Sequence, residues 1–211
     1  MRYFAEIAYN GSRFCGWQRQ PNATSVQEVL ENTLSTLLQE NIETVGCGRT
    51  DTGVHASKYY LHFDTGQPLP EQILGRINKL IGKDIAVRSI HAVPDAAHAR
   101  FDATARSYQY FISTKKDPFS QETKYFLHTA EKLNKNLLQE TASLYLDYQD
   151  FFPFCKTGSD NLSVKCQLFE SRWEFKEAEH LMIYHVSANR FLRGMVRLLV
   201  GACLSAGSGL L

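Results

Sequence analysis

The chain has 211 residues, 44% of them hydrophobic and 21% charged, and a formal net charge of +1. This is the composition of an ordinary globular protein with room for a sizeable core, without the bulk basic charge of many nucleic-acid binders, so any such signal must be local. No apolar run approaches a membrane span and no signal peptide precedes the first strand pattern. The five scattered cysteines (Cys15, Cys47, Cys155, Cys166, Cys203) are never spaced Cys-x-x-Cys, which favours reduced thiols in a cytosol over a zinc site.

Arg2 to Tyr9 alternates loosely and reads as a strand, broken by Asn10-Gly11-Ser12. The loop that follows closes at Pro21-Asn22. It holds Trp17, which either plugs the core or, flanked by Arg13, Gln18 and Arg19, supports an RNA-facing surface. Ser25-Val26-Gln27-Glu28 is a capping box, and Val26, Val29, Leu30, Thr33, Leu34, Leu37 and Leu38 follow at helical spacing, ending near 39–41. Ile42 to Val45 is a strand, Gly46 to Ala56 a loop, and Lys58 to Phe63 the strand out of it. Pro70 opens a second helix at its first turn, with Ile73, Leu74, Ile77 and Leu80 or Ile81 inward, and Gly82 stops it before a strand from Asp84 to Val93. The order β-α-β-β-α-β is the split βαβ arrangement of ferredoxin-like folds.

The second half repeats the order. Ala103 to Thr114 alternates as a long strand, Lys115-Lys116-Asp117-Pro118 is a turn or loop, and residues near 131–146 form a helix carrying Leu133, Leu137, Leu138 and Leu144. Phe151-Phe152-Pro153-Phe154 is an aromatic cluster that Pro153 bars from a central strand. Ser163 to Phe175 and His180 to Ala188 read as two strands, and Phe191 to Leu204 as the last helix. At ~100° per residue, Arg190, Arg193 and Arg197 fall in one sector of that helix, starting at its first turn. The common reading of such a stripe is the solvated edge of a surface helix; cations at a first turn oppose the helix dipole, so a nearby anion would help explain them. His62 and His185 sit in strand patterns and, with His55, take packing or hydrogen-bonding roles. The expected fold class is α+β, two tandem ferredoxin-like or RRM-like halves, 1–102 and 103–211, with antiparallel sheets.

The loop Gly46 to Ala56 carries the candidate chemistry. Asp51 stands two residues after Arg49 and four before His55, between glycines that supply unusual backbone angles. Three readings compete for Asp51. It caps its own turn before Gly53; or Asp51-Thr52-Gly53 is an aspartic-protease tripeptide, which needs a second copy that the chain lacks; or the glycines cradle phosphate, which fails because neither a third fingerprint glycine nor Gly-Lys-Ser/Thr follows.

A resemblance decides between them. Gly48-Arg49-Thr50-Asp51-Thr52-Gly53-Val54-His55-Ala56 resembles the active-site loop of the tRNA pseudouridine synthase A family. Tyr9 to Gln20 is similar to that family's first loop, His98 to Tyr110 to its central segment, and Ala188 to Arg197 to its late motif. The four motifs keep the family's order across the whole chain. The resemblance implies two sheets meeting at a central RNA-binding cleft, and an isomerase that converts uridine to pseudouridine in the anticodon arm of tRNA, at tRNA positions 38, 39 and 40. It implies no cofactor and no metal, a homodimer, a cytoplasmic location, Asp51 as nucleophile, Arg197 as its cationic partner, and Tyr108 stacked on the target uracil and assisting removal of its C5 proton. Arg49, Arg13, Gln18, Arg190 and Arg193 are the expected RNA contacts. The sequence departs from the family at Asn10 (usually aspartate), Thr52 (commonly alanine) and Arg193-Gly194 (a histidine-rich pair), which bears on target preference more than on activity. The family continues past the point where this chain ends, so the second half is expected to be shortened and to lack its final strand, leaving an open sheet edge and an uncovered helix face. Two other classes stay open: a non-catalytic RNA-binding module of the same fold, and an aspartic-type hydrolase without RNA affinity.

Overall fold

Strand β1 (Arg2–Tyr9) lies inside an antiparallel sheet ordered β2-β3-β1-β4, with β2 at Thr44–Gly46, β3 at Ala56–Asp64 and β4 at Ile85–Val93. The computed structural model describes residues 1–156 and 163–210, and the chain folds as two units, Met1–Ala103 and Thr104–Leu211. In the first unit, alternation sends Ala5, Ile7, Tyr9, Tyr59, Leu61, Phe63, Ile85 and Val87 into one core. Helices α1 (Val26–Leu38) and α2 (Ile73–Leu80) supply Val26, Leu30, Leu34, Ile73 and Ile77 to that core. Each such aliphatic side chain contributes about 1.5–3 kcal/mol when fully buried. The Ser25 side chain accepts from the Glu28 amide, as the capping box requires, and Gln39 in the left-handed region (φ 55°) ends α1. Helix α2 begins three residues later than its proline suggests: Pro70 lies in a turn, its carbonyl accepting from Ile73 N (3.0 Å), and Gln72 is not yet helical.

The second unit reuses the pattern. Strands β5 (Arg106–Ser113), β6 (Tyr125–Phe126), β7 (Leu168–Lys176) and β8 (Leu181–Ala188) are ordered β6-β5-β8-β7, so β7-β8-β5 matches β2-β3-β1. Helices α3 (Lys135–Leu144) and α4 (Met195–Gly207) join Ile112, Leu138, Phe151, Trp173, Tyr184, Met195 and Leu199 in its core. The place that β4 holds beside β1 is held beside β5 by the two-residue β6, which runs parallel and pairs only Ile112 and Ser113. Sequence pattern had no strand here, because two residues carry no alternation to read. Among the described residues, no strand pairs with the rest of that edge of β5.

Other element starts also differ from the pattern-based expectation, β5 beginning at Arg106 rather than Ala103 and β3 at Ala56 rather than Lys58. Helix α3 starts at Lys135, because Asn134 caps it by accepting from the amides of Asn136 and Leu137, while Ala130–Lys132 is a separate 3-10 turn. Residues 163–167 precede β7, with Val164 O accepting from Phe151 N (3.2 Å) and Cys166 N donating to Gln149 O (2.9 Å). Helix α4 starts at Met195: Gly194 takes φ 76° and breaks the backbone before it. Arg190 and Arg193 therefore precede the helix, and Arg197 is in its first turn rather than near its middle. The basic stripe was a coincidence of spacing across a glycine that the chain does not carry through in helical form.

Candidate active site

Strand β2 delivers the chain into the Asp51 loop and β3 takes it away, so the loop's two ends are fixed by a sheet. Cys47 N extends the pairing to Tyr60 O (2.8 Å), and the Tyr59 hydroxyl donates to the Gly48 carbonyl. Asp51 is partly buried at the far end of this loop, with Arg49 exposed beside it and His55 partly buried.

The loop is held from its other side by the segment after β1. Trp17 N donates to Thr50 O (3.3 Å), Gly53 N to Phe14 O (3.3 Å) and Gly11 N to His55 Nδ1 (3.1 Å). The Tyr9 hydroxyl and Thr50 Oγ1 are 2.9 Å apart, and Val54 N closes a turn onto Asp51 O (3.2 Å). The approach is close enough to require glycine twice. A Cβ at Gly11 would lie 2.0 Å from Val54 O, and one at Gly16 would lie 2.2 Å from Thr50 O. Thus two of the four motifs fold into one object, with the first loop as the brace of the second. Reading them separately missed this; Gly11 and Gly16 were the available signal.

Trp17 is 3% exposed and packs its ring on Tyr59 (centroids 4.5 Å apart), which decides for the core plug over an RNA-facing role. Arg19 is exposed and stands 3.9 Å from Glu28 and 3.5 Å from Glu31. Arg13 and Gln18 are exposed, Arg13 with a long 3.8 Å approach to Asp84. His55 and His62 both accept backbone amides through Nδ1, from Gly11 and Ala99 respectively, and His185 Nε2 meets Glu174 (2.8 Å), so all three histidines have the bonding roles expected of them.

The remaining candidates belong to the second unit. Tyr108, on β5, is half-buried and meets Phe191 edge-on, with centroids 5.1 Å apart. Tyr110, on the same face two residues on, has its phenol pKa raised by burial and by Tyr125, against the field of Arg197. Arg197 is exposed in the first turn of α4. Arg190 is partly buried and Arg193 exposed, in the segment before the helix, where the Arg193 carbonyl accepts from Lys156 N (3.1 Å). Chemically, the first unit presents one carboxylate on a doubly supported loop, and the second presents an aromatic strand face beside arginines.

The profile of the tRNA pseudouridine synthase family matches residues 5–102 and 142–211. The chain is 42% identical over 210 residues to tRNA pseudouridine synthase A of Bacteroides fragilis, covering 99% of this chain and 82% of that protein. It is 41% identical over 210 residues to the protein of that name in Parabacteroides distasonis, with the same coverage. For the one in Porphyromonas gingivalis the identity is 39% over 211 residues, covering 99% and 83%.

Proposed function

The chain belongs to the tRNA pseudouridine synthase family, and from that premise we propose that it isomerises uridine to pseudouridine in the anticodon arm of tRNA, with Asp51 as nucleophile. The observation that carries the assignment of Asp51 is the double support of its loop, by the β2–β3 pair and by the backbone bonds from Phe14, Trp17 and Gly11. A catalytic group must be held to a fraction of an ångström, and a turn aspartate with no further task has no need of such bracing. The reaction breaks the bond from ribose C1′ to N1 of uracil and forms one from C1′ to C5. N1 gains a proton and C5 loses one, so atoms and electrons balance without a cofactor. A carboxylate nucleophile suits this chemistry because it can hold one fragment covalently while the base turns. The target nucleotide must leave the RNA stack to be reached.

The other roles rest on the motif matches. Tyr108 stacks on the uracil and assists removal of the C5 proton; Arg197 supplies the cation that a carboxylate in a water-poor site requires. Arg49 holds the phosphate of the flipped nucleotide or fills the space it leaves, and Arg13, Gln18, Arg190 and Arg193 contact RNA. The enzyme works in the cytoplasm as a homodimer; sedimentation of active protein as a monomer would refute the dimer. The test of the central assignment is Asp51→Ala, incubated with unmodified tRNA transcript. Pseudouridine formation should vanish while tRNA affinity stays close to wild type. Turnover near the wild-type rate would remove Asp51 from the reaction.

A further inference from the structure

Strand β2 is short and lies at the sheet edge, pairing with β3 over Thr44–Gly46, and it runs straight into the Asp51 loop. A three-residue edge strand is a weak anchor by itself. Here side chains of α1 stand in for the missing neighbouring strand. Thr44 N donates to Glu31 Oε1 (2.9 Å), Thr44 Oγ1 donates to the same oxygen (3.1 Å), and Thr44 O accepts from Gln27 Nε2 (2.8 Å). Gln27 and Glu31 are four residues apart on one face of the helix and bond to each other (3.0 Å). Glu31 is 7% exposed and Thr44 3% exposed, so both bond inside the protein. The same residue reaches the second support of the loop: its side-chain Oε1 accepts from Arg19 N (3.0 Å), and its backbone N–H donates to Trp17 O (3.0 Å). Trp17 N in turn holds Thr50 O, next to Asp51. Both supports of Asp51 therefore converge on Gln27 and Glu31.

We propose that Gln27 and Glu31 are positioning residues for Asp51: they close the open edge of β2 and tie both supports of the loop to α1, so that their loss slows the chemical step without weakening tRNA binding. This rests on the reading of Asp51 as the reacting group. A carboxylate between Leu30 and Leu34 on a buried helix face is costly unless it is fully bonded, so a purely packing role would be served better by an apolar residue.

The test uses the whole chain with Glu31→Ala, Glu31→Gln, Gln27→Ala and Asp51→Ala. In Glu31→Ala the single-turnover rate at saturating tRNA should fall by roughly 10–100-fold, the cost of ångström-scale misplacement, with the tRNA Kd within about 2-fold of wild type, as expected for a group that does not touch RNA. Glu31→Gln keeps one oxygen for Thr44 and should restore the rate to within about 3-fold, since it retains the bonds at Glu31 Oε1. Gln27→Ala, which leaves Glu31 on the Thr44 amide, should show the same split to a lesser degree. In the free protein, the amides of Trp17, Cys47 and Gly53 should exchange at least about 10-fold faster in Glu31→Ala, while those of Ile7 and Val87 stay protected, because only local openings are released. Unchanged exchange at those three amides, or a rate loss matched by lost tRNA affinity, overturns the clamp. Loosened amides together with a fully active Asp51→Ala overturn the assignment of Asp51, and with it the catalytic half of this proposal.

Discussion

Gly16→Ala should damage both stability and rate, and Gly53→Ala separates the causes. Gly16 has φ 92° and Gly53 φ 77°, so a Cβ at either position carries the strain of the left-handed region, about 1–2 kcal/mol. At Gly53 that is the whole cost, because nothing lies within 4 Å of the added carbon. At Gly16 the new Cβ would lie 2.2 Å from Thr50 O, where ordinary contact begins near 3.4 Å, so one backbone must give by more than an ångström. Backbone has no rotamer with which to escape, and overpacking of this kind costs about 1–3 kcal/mol more. The retreat of the Thr50 carbonyl also lengthens its bond from Trp17 N and drags the next residue, Asp51. Denaturant unfolding should therefore place Gly16→Ala about 1–3 kcal/mol below Gly53→Ala, and single-turnover pseudouridine formation should fall roughly 10²-fold further. The assays are urea titration and rapid-quench turnover on an unmodified tRNA transcript, both at a temperature where each variant is folded. Equal stability and equal rate for the two variants would refute the claim that the first loop braces Asp51 by close backbone approach.

Arg197→Met should lower the single-turnover rate by roughly 10²-fold with tRNA affinity retained, whereas Arg190→Met should mainly weaken tRNA binding; a wild-type rate in Arg197→Met, or a defect confined to affinity, passes the cationic role to Arg49. His62 is buried and accepts from Ala99 N, and burial first, then Arg2 and His98, lower its pKa below the ordinary 6.5. The folded state resists protonation there while the unfolded chain does not, so this contribution is present above pH 6.5 and is lost as pH falls below it. The difference between the unfolding midpoints of wild type and His62→Asn should therefore shrink from pH 8 to pH 5, and parallel curves would show that His62 is not the source.

Much of the architecture was legible because its causes are local. Alternation marked β1 and the long β5, the Ser25 cap marked the start of α1, and the glycine-flanked Asp51 between two apolar runs marked a loop between strands. Four motifs in order indicated the family, since runs of residue identity can be read without knowing how the chain folds. Other features depend on what distant segments do. Helical spacing continued through Arg190 and Arg193, but Gly194 adopts a positive φ that no periodicity reveals, so α4 starts at Met195. Trp17 had two fates until the ring of Tyr59 was seen against it. The bracing of Asp51 joins backbone groups near residues 11–17 to those near 50–55, and the clamp on Thr44 joins a helix to a strand edge. Sequence by itself determined the family, the candidate site residues and the local elements they favour. Only the tertiary structure decided which backbones approach closely enough to hold Asp51, because such contacts depend on the packing of segments whose propensities say nothing about one another.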